Sequence, residues 1–243
     1  MKSGPILPGM RILLLLLLCA CASTAAAYSK NRVATDANGQ PVRIAGSVVM
    51  IEPNIELSEV LAGGVEEPRR EWSEHARQLY PSEVHRRLVA GGVQQMPDYD
   101  VPDALPAETR LGQVLRLNEA VSLSVLAYTQ PGNQLATKRG KKLDWTLGPG
   151  VEELRKVTGA DYALFTYVRD SYTSGGRKAL RIAGLLLLGG DIGGGQQVGV
   201  TTLVDLRTGQ VVWFNFLAKQ TGDLRDAAGA QQTAANMLKG IPL

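Results

Sequence analysis

The pattern of hydrophobic and polar positions predicts two strands followed by helices in the first half of the chain. Residues 48–51 form a short apolar run that Pro53 ends, which is typical of a buried strand. Residues 55–61 form a second, weaker extended segment. Residues 66–90 have helical character, and Pro81 predicts two helices rather than one because proline breaks the helical hydrogen-bond ladder.

The middle of the chain alternates between a proline-rich loop and helices. Residues 93–106 contain three prolines and predict a loop, whereas residues 109–128 place apolar side chains along one helical face. A short helix is predicted over residues 151–158, where Pro149 stands just before the start. A closing helix is predicted over residues 223–239 because glycine and proline follow it.

The C-terminal third carries the strongest strand signal. Residues 161–172 and 210–218 are rich in aromatic and β-branched side chains, and residues 178–188 and 197–206 are further strand candidates. The turn at residues 207–209 ends in glycine, as a three-residue hairpin loop does. The whole pattern predicts an α/β fold, with a mixed β-sheet whose C-terminal strands are antiparallel and with helices that flank this sheet.

The first 20 residues have the composition of a secretory signal peptide. Lys2 and Arg11 precede an apolar run over residues 12–22, and small residues follow it. This run has about half of the roughly 20 residues that a membrane-spanning helix needs. We therefore predict a cleaved signal rather than a transmembrane anchor.

Residues 18–21, with the sequence LCAC, resemble the lipobox of bacterial lipoproteins, in which the chain is cut before a cysteine that is then acylated. The match falls on Cys21, and Cys19 fits less well because a bulky leucine would precede the cut. An ordinary cleavage site near residues 25–27 is the alternative. The resemblance implies an anchor of several acyl chains, palmitate among them, and Ala22 after the cysteine implies sorting to the outer membrane.

The predicted organisation has three parts: a lipoprotein signal peptide over residues 1–20, the lipidated cysteine with a flexible tether over residues 21–41, and a single periplasmic domain over residues 42–243. Residues 22–41 are small and polar and show no apolar period. A flexible chain of this length has a root-mean-square reach of roughly 25 Å. Such a tether would let the domain stand away from the membrane.

Charge and cysteine content exclude several classes of function. The precursor contains 26 basic and 23 acidic residues, and removal of Lys2 and Arg11 with the signal leaves a net charge of +1. This balance gives no electrostatic case for a nucleic-acid partner. With Cys19 removed and Cys21 acylated, no thiol remains for a disulfide, a nucleophile or a metal ligand.

Two sequence features suggest ligand chemistry, and each has a plainer interpretation. The glycine-rich residues 189–195 would suit a phosphate loop only if a helix followed, but a strand pattern follows, so we predict a hairpin tip. His75 and His85 are the only histidines and are ten residues apart. Because this is not a spacing for metal ligands on a helix, we predict solvated helix-face residues and no metal or cofactor site.

Three further candidates stay open at this point. Asp170 and Asp205 are an example of a carboxylate pair that hydrolysis would need, although an aspartate at a turn more often caps backbone amides. The basic residues 138–142 suit lipid headgroups or a polyanion, and equally a solvated loop. Trp145 and Trp213 are candidate anchors for a partner, with Trp213 expected to pack in the sheet.

Three segments carry a wider resemblance: residues 48–53, residues 159–165 with the sequence GADYALF, and residues 203–213 with the sequence LVDLRTGQVVW. They resemble the periplasmic lipoprotein group that includes curli-secretion lipoproteins, penicillin-binding-protein activator lipoproteins and the amino-terminal domain of TolB. The resemblance implies a mixed sheet flanked by helices and, as in these relatives, no enzymatic activity. It also implies function through protein contacts at the cell envelope.

The sequence thus predicts a lipoprotein of the outer membrane that faces the periplasm and is held in the membrane by acylated Cys21. We expect a non-enzymatic accessory or assembly factor that binds an envelope protein and possesses no catalytic residue or cofactor. One alternative is an oligomeric subunit of a secretion channel of the curli type, in which case the chain forms a homo-oligomer. The other alternative is an envelope hydrolase with a carboxylate site.

Overall fold

The computed structural model of the chain describes residues 28–128, 135, 142–174, 196–219 and 223–243. In these ranges the chain forms a mixed sheet of eight strands with four helices packed on it. The strands are β1 (Tyr28–Val33), β2 (Ser47–Met50), β3 (Asn54–Val60), β4 (Glu66–Pro68), β5 (Gln94–Gln95), β6 (Tyr162–Thr173), β7 (Gln197–Asp205) and β8 (Val211–Lys219). The helices are α1 (Arg70–Ala90), α2 (Arg110–Tyr128), α3 (Glu152–Thr158) and α4 (Ala227–Met237), with a 3₁₀ turn, Pro149–Val151, before α3.

The sheet is organised around β6, its longest strand. The first part of β6 pairs in parallel with β2, and the second part pairs in parallel with β3. On the other side, β6, β7, β8 and β1 form an antiparallel series. The turn between β7 and β8 requires Gly209, whose φ of +77° lies in the left-handed region. The predicted α/β class and the antiparallel C-terminal strands are confirmed.

Helices cover both faces of the sheet because its strands bury side chains on alternate sides. On β6, Leu164 and Val168 contact one hydrophobic cluster with α1 and α4, whereas Ala163 and Phe165 contact a second cluster with α2. Trp213 on β8 is fully buried in the first cluster. The expectation that Trp213 packs in the sheet is therefore confirmed.

The structure differs from the predicted tether over residues 28–41. Residues 28–33 form β1, which pairs with β8 in antiparallel register from Tyr28 opposite Ala218 to Val33 opposite Trp213. Ala34 follows fully buried, and its N–H donates to the Val212 carbonyl oxygen at 2.8 Å. The sequence of this segment is polar and therefore does not predict a strand. An edge strand is stabilised mainly by backbone hydrogen bonds, which a pattern of side chains does not reveal.

The prediction of two helices around Pro81 is wrong, since α1 continues through this residue. Ala76, Tyr80, Val84 and Leu88 are all buried at intervals of four residues, so one apolar stripe runs along both halves of the helix. An interior proline costs about 3 kcal/mol, and burial of a single large apolar side chain contributes about 1.5–3 kcal/mol. Packing of the stripe outweighs the cost of Pro81.

Most other elements lie where the sequence predicts them. Strands β2, β3, β6, β7 and β8 and helices α2, α3 and α4 match the predicted segments within a few residues, apart from the closing helix, which begins four residues later than predicted. Residues 66–68 form β4 instead of helix, and residues 94–95 form β5 within the predicted loop. The predicted strand over residues 178–188 lies outside the described residues.

Candidate functional site

A cleft of about 680 Å³ opens between α1 and α2, where β2 ends and β3 begins. Pro53 lies at this break. Of the two neighbouring edge strands, β5 pairs only with residues 47–48 of β2, and β4 pairs only with residues 58–60 of β3. The cleft occupies the interval between these two edge strands and reaches the central strands from there.

The floor of the cleft is mainly apolar. Phe165 and Tyr167 of β6 lie beside Thr202 and Val200 of β7, because these residues are direct partners in the antiparallel ladder. Phe165 and Val200 are buried and belong to the same hydrophobic cluster. An apolar floor with few polar groups is the usual composition of a site that binds a ligand or a partner side chain.

Helix α2 contributes a buried hydroxyl to the wall of the cleft. Ser122 is only 7% exposed, and within the described part of the chain its Oγ has no hydrogen-bond partner. A buried polar group without a partner costs about 1–3 kcal/mol. The Oγ itself has almost no exposed surface, so a polar group of a bound molecule would remove this cost once the side chain turns toward the cleft.

Asn118, one helical turn before Ser122, fixes the wall to the floor. The Thr202 hydroxyl donates to Asn118 Oδ1 at 3.0 Å, and both residues are buried. A hydrogen bond between buried side chains holds α2 at a defined distance from β7. The wall that carries Ser122 is therefore preorganised.

The mouth of the cleft carries balanced charges. Its charged lining residues are three arginines and three glutamates, namely Arg70, Arg77, Arg116, Glu52, Glu56 and Glu119. Four of them already have partners. Arg70 forms an ion pair with Glu74 at 2.7 Å, and Glu52 accepts a hydrogen bond from the Val101 N–H at 3.0 Å. Arg77 Nε donates to the Ser73 carbonyl oxygen at 3.2 Å, and Glu56 Oε1 lies 3.8 Å from Arg169 Nε. This balance favours a partner of mixed polarity over a strongly charged one.

On the α1 side, the cleft borders a buried group of hydroxyls. The Tyr80 hydroxyl lies beside those of Thr166 and Thr201, and Thr166 also lines the cleft. Burial raises the pKa of Tyr80 to about 12, so this phenol is neutral at physiological pH. Ser73 stabilises the same side, because its Oγ accepts from the Leu57 N–H at 2.9 Å.

A second polar cluster lies on the sheet face that α1 and α4 cover. Asp170, Gln197 and Lys219 form one row, since they are partners across β6, β7 and β8. Asp170 Oδ2 accepts hydrogen bonds from the Tyr172 hydroxyl at 2.6 Å and from Gln197 Nε2. Gln197 Oε1 in turn accepts from the Thr233 hydroxyl of α4 at 3.1 Å.

Burial dominates the ionisation of this second cluster. Burial raises the pKa of Asp170 to about 6, although its hydrogen bonds stabilise the ionised carboxylate and act in the opposite direction. Burial also lowers the pKa of Lys219. Lys219 is 6% exposed, and no atom of the described residues forms a hydrogen bond with its Nζ. The Tyr172 hydroxyl also accepts from the Leu224 N–H at 2.7 Å, so the cluster fixes the chain before α4.

The structure separates the predicted carboxylate pair. Asp170 lies opposite Gln197 at one end of the β6–β7 ladder, and Asp205 lies opposite Tyr162 at the other end. Eight residues of β7 correspond to about 27 Å, so these two carboxylates cannot act on one substrate bond. Asp205 instead accepts from the Arg207 N–H at 2.8 Å, as the turn interpretation predicts.

The two histidines lie on α1, outside the lining of the cleft. His75 is exposed, whereas His85 is half-buried and its Nε2 lies 2.8 Å from Asp98 Oδ1. The expectation of solvated helix-face residues is right for His75 and wrong for His85, which has a specific partner. Cys21, residues 138–141 and the glycine-rich residues 189–195 lie outside the described residues.

The sequence prediction missed Asn118, Ser122 and Thr202 as site residues. Asn118 and Ser122 follow Val114 at intervals of four residues on the buried face of α2. Polar residues at apolar positions of a predicted helix were therefore a usable signal. Thr202 gave none, because threonine is an ordinary residue of a strand.

The described ranges hold neither a membrane-spanning helix nor a cluster of metal ligands. None of the helices found there combines the length and the apolar character needed to cross a bilayer. The same residues include no group of three or more histidine, cysteine, aspartate or glutamate side chains arranged to hold a metal ion.

Comparison with known proteins gives only distant similarities. No family model matches the chain, and no curated protein matches it. Among solved structures, the chain is similar to the PelC dodecamer from Paraburkholderia phytofirmans, with 11% identity, a TM-score of 0.41 and coverage of 89% of this chain and 98% of that chain. It is also similar to the lipoprotein GNA1162 from Neisseria meningitidis, with 15% identity, a TM-score of 0.30 and coverage of 72% of this chain and 81% of that chain.

Proposed function

We propose that this protein is a lipoprotein of the bacterial envelope, anchored in the outer membrane through acylated Cys21, and that it acts as a non-enzymatic accessory factor by binding a partner protein. The observation that carries the binding function is the cleft between α1 and α2, with its apolar floor and the buried, unpaired hydroxyl of Ser122. The lipobox-like residues 18–21 support the anchor. The resemblance to envelope lipoproteins that act through protein contacts agrees with this function.

The groups that meet in the cleft are suited to recognition. Phe165 and Val200 offer an apolar surface, Ser122 offers a hydroxyl, and the mouth offers both signs of charge. A partner that places an apolar side chain on this floor, with a polar group next to it, would satisfy the hydroxyl and exclude water. A segment of another protein has this chemistry.

Site-specific cross-linking in cells tests the binding site. Leu123 lines the cleft and is 54% exposed, whereas Leu117 lies on the same helix outside the cleft and is 41% exposed. With the photoreactive residue benzoylphenylalanine at position 123, we expect one discrete cross-linked product, which the same residue at position 117 does not give. We also expect this product to disappear when Ser122→Trp fills the cleft.

Identical products from both positions would place the contact outside the cleft and contradict the proposed site. A product at position 123 that survives Ser122→Trp would do the same. Circular dichroism and thermal unfolding of the Ser122→Trp protein check that the variant remains folded, so that loss of the product reports the filled cleft.

Two cysteine variants test the anchor. Cys21→Ala removes the residue that we propose to be acylated, so the protein is expected to leave the membrane fraction almost completely. Cys19→Ala is the matched control, and we expect it to stay in the membrane because residue 19 is lost with the signal peptide. Fractionation and the mass of the intact mature protein measure both results; equal distribution of the two variants would contradict the anchor.

A further inference from the structure

The anchor and the folded domain are separated by very little chain. Tyr28, the first residue of β1, follows Cys21 by only seven residues. Even a fully extended segment of this length spans at most about 25 Å, from 3.3–3.6 Å per residue. If Cys21 is acylated as proposed above, β1 begins within about 25 Å of the lipid surface.

The register of the sheet shows which end of the domain the anchor reaches. Tyr28 lies opposite Ala218, Ala218 opposite Val198, and Val198 opposite Arg169. The start of β1 thus lies at the end of the sheet where β3, β6 and β8 finish. We call this end the anchor end; the turn between β7 and β8, at residues 207–209, lies at the opposite end.

An apolar turn projects from the anchor end. Residues 61–65, with the sequence LAGGV, connect β3 to β4, and the turn is closed by the Leu61 N–H, which donates to the Val65 carbonyl oxygen at 2.9 Å. Val60 lies opposite Thr173, four residues beyond the level of Arg169, so the turn begins about 13 Å beyond the level of Tyr28. The seven-residue segment is long enough to let this turn reach the membrane.

The side chains of the turn suit a lipid surface. Val65 is 65% exposed, which makes it the most exposed large hydrophobic side chain of the described ranges. At the same end of the sheet, the half-buried Trp72 contacts Tyr172 near the end of β6. The guanidinium carbons of Arg225 and Arg69 lie 4.8 and 6.0 Å from its ring, and these arginines also form ion pairs, Arg225 with Asp223 and Arg69 with Glu59 and Glu67. Tryptophan and arginine side chains favour the headgroup level of a bilayer, where a ring and a charge are both accommodated.

We propose that the anchor end rests on the membrane that holds the acyl chains, with residues 61–65 in contact with lipid. The proposal rests on the proposed acylation of Cys21 and adds a fixed orientation to it. The domain then presents the β7–β8 turn away from the membrane, and the lipid surface is the second point of attachment beside the anchor.

A pair of labelled variants tests this orientation. The mature acylated protein has no free thiol, so Val65→Cys and Thr208→Cys each introduce a single site for an environment-sensitive fluorophore. Both positions are exposed turn residues, at opposite ends of the sheet. In vesicles of phosphatidylethanolamine and phosphatidylglycerol, we expect fluorescence at position 65 to rise about twofold or more relative to detergent-free Cys21→Ala protein, as for a probe at the headgroup level.

Quenching by nitroxide-labelled lipid supplies the second measurement. We expect strong quenching at position 65 and little at position 208. Vesicle flotation distinguishes loss of the anchor from a wrong orientation. Protein that floats but shows equal signals at both positions, or a stronger signal at position 208, overturns the orientation and leaves the anchor intact. Protein that does not float overturns the proposed anchor and the orientation with it.

Discussion

Replacing Trp213 by alanine is expected to lower the free energy of unfolding by about 3–5 kcal/mol. Trp213 has no solvent exposure in the folded chain, because it lies in β8 under α4 and packs in the core cluster that includes Leu203 and Leu217. Its removal leaves a cavity in the middle of the sheet that close packing prevents neighbouring side chains from filling. The loss is a large part of the 5–15 kcal/mol that stabilises a typical domain.

Urea unfolding followed by circular dichroism measures this loss, with Trp145→Ala as the matched control. Trp145 is half-buried and stacks on Tyr128 with ring centroids 6.4 Å apart, so we expect a distinctly smaller effect. Equal losses for the two variants would show that Trp213 is not a central residue of the core. The comparison also tests the sequence-based expectation that Trp213 is structural.

Lowering the pH from 7 to 5 is expected to stabilise the protein through Asp170. Burial raises the pKa of this carboxyl from 3.8 to about 6 in the folded chain, so the folded state binds a proton that the unfolded state lacks in this interval. The contribution is fully present below the unfolded pKa and is lost as the pH rises through about 6. The shift corresponds to about 3 kcal/mol in total, of which about 1 kcal/mol falls between pH 7 and pH 5.

Asp170→Asn should remove this contribution, because asparagine cannot take up the proton but still offers an oxygen to Tyr172 and Gln197. The measurement is the difference between the unfolding free energies at pH 5 and pH 7, compared between variant and wild type. Asp205→Asn, a carboxylate change at the last residue of β7, serves as control and should keep the wild-type difference. An unchanged pH response in Asp170→Asn would refute the assignment.

The sequence predicts those elements whose stability comes from side-chain burial. The apolar residues 48–51, 161–172 and 210–218 become β2, β6 and β8 because both faces of these strands are covered by helices. The sequence does not predict β1, because backbone pairing with β8 holds this strand at the sheet edge. Pro81 misleads in the opposite sense: a strong local signal is overruled by the apolar stripe of α1.

The candidate site was hidden from the sequence for a geometric reason. Ser122 and Phe165 are 43 residues apart in sequence, and they line the same cleft only because α2 packs on the face of β6 and β7. No local sequence motif predicts that residues so distant in sequence line one cleft. The buried row of Asp170, Gln197 and Lys219 is equally non-local, since it depends on the register of three strands.

The pairing of β1 with β8 also fixes an order of events during biogenesis. Tyr28 is among the first of the described residues to be synthesised, but its partner Ala218 follows almost 200 residues later. Contacts so distant in sequence form late in folding. β1 therefore stays without its partner until almost the whole chain has been made, and the last strand of the described residues secures the first.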